Sequence, residues 1–191
     1  MAENKVLFGL KNVYYAVATQ TGNSVSYASP VAFNSEGAGA VSIALSQRGE
    51  TFEKYADDVL WFADAVNQGY EGDLVMTKIS DSFAKDVMGY IEDSNGALIE
   101  KADTVFKNFA LGFEVQGNEN PKRTWYYFCT ISRPNDEANT KEASMTTNDK
   151  TMNIIVSPRP SDQKVKVSMT KTTTNTTAFN GFFGAVYEQV V

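Results

Sequence analysis

"RTWYYFCTIS", Arg123 to Ser132, is the stretch on which the fold turns. Read as a strand, its side chains alternate between two faces. Trp125, Tyr127, Cys129 and Ile131 fall on one face; Tyr126, Phe128 and Thr130 fall on the other. Both faces carry large rings. A strand at the surface of a lone antiparallel domain would have one polar face. Either this strand is central to the fold or its second face meets another subunit, where aromatic side chains are enriched.

Working outward, period two dominates the chain. "VSIALS" sets Val41, Ile43 and Leu45 against Ser42, Ala44 and Ser46, and "KVKVSMT" sets Val165, Val167 and Met169 against Lys164, Lys166, Ser168 and Thr170. Both read as half-buried antiparallel strands. "VYYAVAT" (13–19), "DLVMTKI" (73–79), "NFALGFEV" (108–115) and "TMNIIVS" (151–157) read the same way. Short strands punctuated by Gly, Asn and Pro predict a mainly β protein, an antiparallel sandwich or barrel. One segment differs. Phe83, Val87 and Ile91 are spaced by four, with Ala84 and Met88 beside them, so residues 80–91 predict one flanking α-helix. Ser80 or Asp81 caps its start and Gly89 marks its fraying end. Asn95-Gly96 then suits a tight turn.

Residues 133–150, "RPNDEANTKEASMTTNDK", lie between an aromatic and an aliphatic strand. The simplest topology is a hairpin with a long polar arm. Such a connection exceeds the common loop lengths and is of the kind that is functional or disordered. Residues 1–171 therefore predict a single β domain carrying this arm. Residues 172–191 are Thr-rich and then aromatic, and read either as a final strand or as a tail that orders on assembly.

Composition narrows the function. The 191 residues are 42% hydrophobic and 12% aromatic, which describes an ordered globular chain. Net charge is −6 and the pI about 4.7, against a binder of nucleic-acid backbone, which needs clustered Lys and Arg. The one cysteine, Cys129, allows no internal disulfide and reads as a buried apolar strand residue. There is no histidine, so the commonest general base and metal ligand is missing. The amino terminus predicts neither signal peptide nor anchor, and no stretch reaches the roughly 20 apolar residues of a membrane helix.

"KYADDVLWF" (54–62) contains Tyr-x-Asp-Asp, the sequence of reverse-transcriptase active sites. A polymerase also needs a third metal-binding carboxylate on an earlier strand and a fingers region, and only 54 residues precede Tyr55. A four-letter match is a weak signal. Asp57 and Asp58 are better read as solvated or contact charges, or as turn residues, beside an apolar run, "VLWFADAV", that must pack somewhere. There is no Gly-rich phosphate loop and no calcium-loop pattern. No enzyme activity, cofactor or metal site is expected.

In order along the chain, "GLKNVYYA" (9–16), "YADD" (55–58), "GYEGDLVM" (69–76), "GYIEDSNGALIE" (89–100), "FALGFEVQG" (109–117), "RTWYYFCTISRP" (123–134), "TKEAS" (140–144) and "IIVSPRP" (154–160) resemble the major tail tube protein of phages with long, flexible, non-contractile tails, in the group named after a staphylococcal phage. The resemblance spans about residues 6–170 and rests on order and spacing, since each piece alone is unspecific. The Thr-rich, aromatic end departs from it. The resemblance implies a virion protein, assembled in the host cytoplasm, whose hexameric rings stack into a tube. Viral DNA would pass through without specific binding. Tape-measure, terminator and baseplate proteins would be its other partners, with no membrane involved. It implies no catalysis and no cofactor, and it makes the arm a docking element. The residues expected at inter-subunit or inter-ring contacts are Asp136, Glu137, Lys141, Glu142, Asp149 and Lys150 on the arm, with Tyr126 and Phe128 on the aromatic strand. A different class, a free-standing β-sandwich that binds carbohydrate or a cell surface by stacking Trp61, Trp125 or Tyr126 on sugar rings, is the alternative.

Overall fold

The computed structural model describes residues 4–136, 138, 140 and 147–190. Along them run β1 (Leu7–Thr21), β2 (Ser24–Tyr27), β3 (Val31–Ala32), a 3-10 turn (Phe33–Glu36), β4 (Ala40–Arg48), β5 (Thr51–Ala56), β6 (Val59–Ala65), β7 (Gly69–Met76), α1 (Asp81–Asp86), β8 (Ile91–Glu92), β9 (Leu98–Ile99), β10 (Phe109–Gly117), β11 (Lys122–Ile131), β12 (Lys150–Val156), β13 (Lys166–Thr170) and α2 (Thr176–Asn180). The fold is mainly β. The large antiparallel sheet has the order β2-β1-β10-β11-β12-β7-β4, with β13 beside β11 and β3 beside β1. Each stretch that period two marked as a strand is one.

β11 stands in the middle of this sheet. One edge pairs with β10 from Lys122 to Cys129. The other pairs with β13 over Lys122–Tyr126 and then with β12 over Cys129–Ile131. At the handover the register slips. Leu111 lies opposite Tyr126 and Phe109 opposite Cys129, so Tyr127 and Phe128 together face Ala110. That is a β-bulge, and it changes which face each later side chain takes. Trp125 and Tyr127 pack on one side of the sheet, while Tyr126, Cys129 and Ile131 pack on the other. The strict alternation read from the sequence, with Cys129 and Ile131 beside Trp125, is corrected at this point. Cys129 is fully buried, and burial pushes its thiol pKa up.

The larger core lies on the Tyr126 side. Tyr15, Phe33, Phe83 and Phe109 meet there edge to face or tilted, with ring centroids 4.9–5.5 Å apart, against Leu74, Met76, Met152 and Ile154. α1 lays Phe83 and Ala84 into this core. It is shorter than the stripe predicted. Gly89 sits at φ 72°, open to glycine without strain, and Tyr90 N–H closes back on Ala84 O at 3.0 Å. Val87 and Met88 stay buried beyond the last helical turn, so the four-residue spacing survives without the helix. Its start is held by Glu36, whose carboxylate accepts from Ser82 N–H and Ser82 Oγ. Those bonds lower the Glu36 pKa.

The second face of β11 is covered by the carboxyl-terminal segment of the same chain. α2 and the irregular residues after it form neither a final strand nor a free tail. Phe182 and Val186 pack on Ala16, Ala110, Trp125 and Tyr127. Room for the indole exists because position 112 is glycine: a Cβ there would lie 2.7 Å from the Trp125 ring. Apart from the half-buried Phe128, the rings on both faces of β11 are thus covered within one subunit.

Candidate assembly surface

β4 and β7 pair as far as Arg48 and Gly69, and beyond them the chain leaves the sheet. Gly49 makes the exit. Its φ is 139°, and a Cβ there would fall 1.7 Å from Val66 O. Gln68 N–H to Arg48 O (3.0 Å) and Val66 N–H to Glu50 O (3.3 Å) carry the ladder through the bend. β5 and β6 then form a separate two-stranded sheet.

Asp57 and Asp58 are the turn of this hairpin, with φ of 50° and 62°. Two successive left-handed residues define the type I′ turn, whose twist matches that of a hairpin. The Tyr-x-Asp-Asp stretch therefore makes a turn, one of the roles its sequence allowed. Among the described residues no group of three or more Cys, Asp or Glu side chains is placed to hold a metal ion. Lys54 pairs with Phe62 and Tyr55 with Leu60, leaving Trp61 in a bulge.

The apolar run does not pack as its composition suggested. Every residue of β6 is exposed. Trp61 is 70% exposed and Tyr55 64%, and Phe52, Val59, Leu60 and Phe62 are each at least half exposed. Cross-strand partners share a face. Phe52 and Phe62 therefore meet on one side, their centroids 6.3 Å apart, while Tyr55 and Leu60 lie on the other. A two-stranded hairpin of this kind is marginal alone in water, and apolar surface gathered in one place marks an interaction site. The hairpin is also acidic: Glu50, Glu53, Asp57, Asp58 and Asp64 stand against Lys54.

The arm residues have a different character. Asp136 pairs with Lys150 at 3.0 Å, and Arg133 pairs with Glu100 at 2.6 Å. These residues border a cleft of about 390 Å³ floored by Ile79, Ala84, Met88 and Leu98. Asp149 is half-buried and lines a neighbouring groove with Arg133 and Asn135. Glu137, Lys141 and Glu142 lie outside the described residues. Phe128 is half-buried. Tyr126 is corrected: it is 7% exposed and packs against Tyr70 and Phe113, so it offers no ring to a neighbour. Trp125, fully buried, and Tyr126 are equally closed to a sugar, which leaves Trp61 as the exposed ring of the three.

A second polar centre lies at the far end of the carboxyl-terminal segment. Arg159 is 4% exposed. Its guanidinium donates to Asp162 at 2.7 and 2.8 Å and to both oxygens of Glu188, and lies 4.4 Å over the Tyr127 ring. The arginine hydrogen bonds hold the Asp162 carboxyl well below the usual carboxylate range. Burial pushes Tyr27, beside it, up to about 12. Asp162 lies only three residues from Arg159, but Tyr27 and Glu188 reach it from distant parts of the chain, so no local pattern in the sequence marks the cluster.

Compared with known proteins, the chain matches no family model, and no curated protein sequence aligns with it. Among the described residues no helix is long and apolar enough to cross a membrane.

Proposed function

We propose that this protein is a structural subunit that polymerises, and that its assembly is the phage tail tube implied by the ordered motif resemblance: hexameric rings, stacked, as a conduit for DNA. The observation that carries the reading is the β5–β6 hairpin, an apolar hairpin with exposed rings on both faces and no cover among the described residues. Such surface is stable when a neighbour removes it from water, at roughly 25 cal/mol per Å². A closed ring also pairs the free strand edges that would otherwise template aggregation. The acidic balance of the hairpin suits a conduit that passes DNA without holding it, since like charge repels over about 8 Å at physiological salt.

Negative-stain electron microscopy of the purified protein, alone and with other tail components, tests this. Rings or tubes of uniform width are expected. Protein that stays monomeric at high concentration in both settings would refute it. Deleting residues 135–149 and, separately, replacing Phe52, Trp61 and Phe62 with Ser distinguishes arm from hairpin. Both variants are expected to fold and both to lose tube growth. Unimpaired growth in either one removes that element from the assembly surface.

A further inference from the structure

The carboxyl-terminal segment is held in an unusual way for part of a β protein. Among the described residues, the hydrogen bonds joining residues 179–188 to the body all run from side chains of the body. Trp125 Nε1 donates to Phe182 O at 2.9 Å. Tyr127 Oη donates to Tyr187 O at 2.8 Å. Arg123 donates to Phe179 O, with its guanidinium 4.2 Å over the Phe179 ring and 4.8 Å over that of Phe183. Arg159 takes the Glu188 carboxylate. The backbone bonds within the segment close on itself, as from Phe182 N to Phe179 O and from Gly184 N to Gly181 O. Among the described residues no ladder bond ties it to β13 or β1.

This is how a groove binds a peptide. Side-chain donors read main-chain carbonyls, aromatic walls take alternate rings, and a buried arginine takes a carboxylate at one end. None of these contacts depends on the peptide being covalently joined to the groove that holds it. We infer that the sheet face of Tyr14, whose ring stacks on Phe183 at 4.6 Å, with Arg123, Trp125, Tyr127 and Arg159 is a peptide-docking groove, and that its occupant exchanges between copies: residues 176–190 of a second copy of this chain fit it as the resident segment does. Exchange of an identical element keeps each native contact and is a low-cost route to association. The connector, residues 171–175, is tied to the body at its first residue, Lys171 N–H to Pro121 O at 3.0 Å, and beyond that by its own turn, Asn175 bonding Thr172 and Thr170. Opened, it spans about 17 Å at ~3.4 Å per residue, so the donor must be an immediate neighbour. The inference does not depend on the assembly being a tube.

Charge reversal on the full chain tests it. Arg159→Glu sets a second carboxylate against Glu188 within one chain, and Glu188→Arg sets two guanidinium groups together in the other. Each variant alone is expected to lose protection of its carboxyl-terminal segment from carboxypeptidase. In a mixture the pairing is restored only across chains, one groove taking the native pair and the other the reversed pair. Equimolar mixing is expected to restore protection to the unmodified level and to give a 1:1 mixed species by native mass spectrometry. A mixture that digests as the sum of its parts overturns the inference. Should either variant fail to fold, unlabelled protein carrying p-benzoylphenylalanine at position 183 is mixed with fully ¹⁵N-labelled unmodified protein and irradiated. Cross-links to Tyr14 or Trp125 peptides of the heavy chain are expected, and links confined to the light chain overturn it. Sedimentation of the same samples reads polymerisation separately. Tubes without exchange would sink this inference and leave the proposed function standing; exchange without tubes would do the reverse.

Discussion

The two tryptophans of this chain occupy opposite situations. Trp125 is fully buried, its indole N–H bonded to Phe182 O and its ring against Phe183. Trp61 is 70% exposed on a hairpin that none of the described residues covers. Both sit in strands rich in apolar and aromatic residues, and composition alone would bury both. What separates them is the supply of partners. β11 is flanked by three strands and roofed by α1 on one side and the carboxyl-terminal strap on the other. Among the described residues β5 and β6 pair only with each other. The first region is covered within the subunit, and the second is left exposed by the described residues. Substitutions in each region can break that contrast or sharpen it.

The largest effect belongs to the finished region. Trp125→Ala empties the centre of the second core and leaves Phe182 O without its donor. A loss of about 3–5 kcal/mol is expected, the range for truncating a buried large aromatic, read as a fall in the urea midpoint with an unchanged slope. A loss below about 1 kcal/mol, the size of an ordinary point mutation, would mean that the strap does not close this face in solution.

How far the sequence carried this contrast depends on the range over which each signal acts. Alternation is local, so the seven principal strands are legible, β4 and β13 most clearly. The helix was legible as a stripe but not in length, because the left-handed turn at Gly89 ends it while Val87 and Met88 stay buried. The bulge at Tyr127 and Phe128 was not legible: it follows from pairing with Ala110, which lies in a different strand. The strap was ambiguous for the same reason. Its rings have no periodicity of their own, and the donors that hold them lie about the sheet, at Arg123, Trp125, Tyr127 and Arg159. The candidate site was legible in part. Asp57 and Asp58 read either as solvated or contact charges or as turn residues, of which the structure shows the turn, but the exposure of the apolar run beside them depends on which other elements reach it, which local sequence does not reveal.

A second prediction probes the polar end of the strap. The folded pKa of Asp162 is depressed by its bonds to Arg159. Its contribution to stability is therefore fully present above the unfolded carboxylate value, about 3.9, and is lost as pH falls through that value toward the folded one. Asp162→Asn is expected to lower the urea midpoint at pH 7, with the gap to the unmodified protein narrowing below about pH 4. A gap that stays constant across that window would show that the carboxylate charge contributes nothing there.

A smaller gain is expected at the hairpin tip. Asp58 holds φ of 62°, where glycine rests without the strain a Cβ brings. Asp58→Gly, giving the Asp-Gly pair that type I′ turns favour, is expected to stabilise the hairpin by about 0.5–1 kcal/mol, seen as slower amide exchange in β5 and β6 with no shift in global unfolding. Faster exchange would show that the aspartate side chain, rather than the backbone angle, holds the turn.

The smallest effect on stability is the most informative. Trp61→Ser removes a large ring from a site where it touches water more than protein, so global stability is expected to move by less than about 0.5 kcal/mol, as for surface substitutions away from special features. The same change removes the most exposed ring from the apolar surface that polymerisation would bury, so assembly should fail or require much higher protein concentration. The two readouts must be taken on one sample, denaturation on the dilute subunit and sedimentation on the concentrated one. Trp125→Ala is expected to affect both together, because an unfolded subunit cannot assemble. Trp61→Ser should separate them. If it destabilises the dilute subunit as strongly as Trp125→Ala does, the hairpin is folded back on its own chain in solution, and the contrast between a finished and an unfinished region disappears. If neither readout moves, the hairpin is an exposed apolar element that assembly does not use, and the burden of contact shifts to the arm between Arg133 and Lys150.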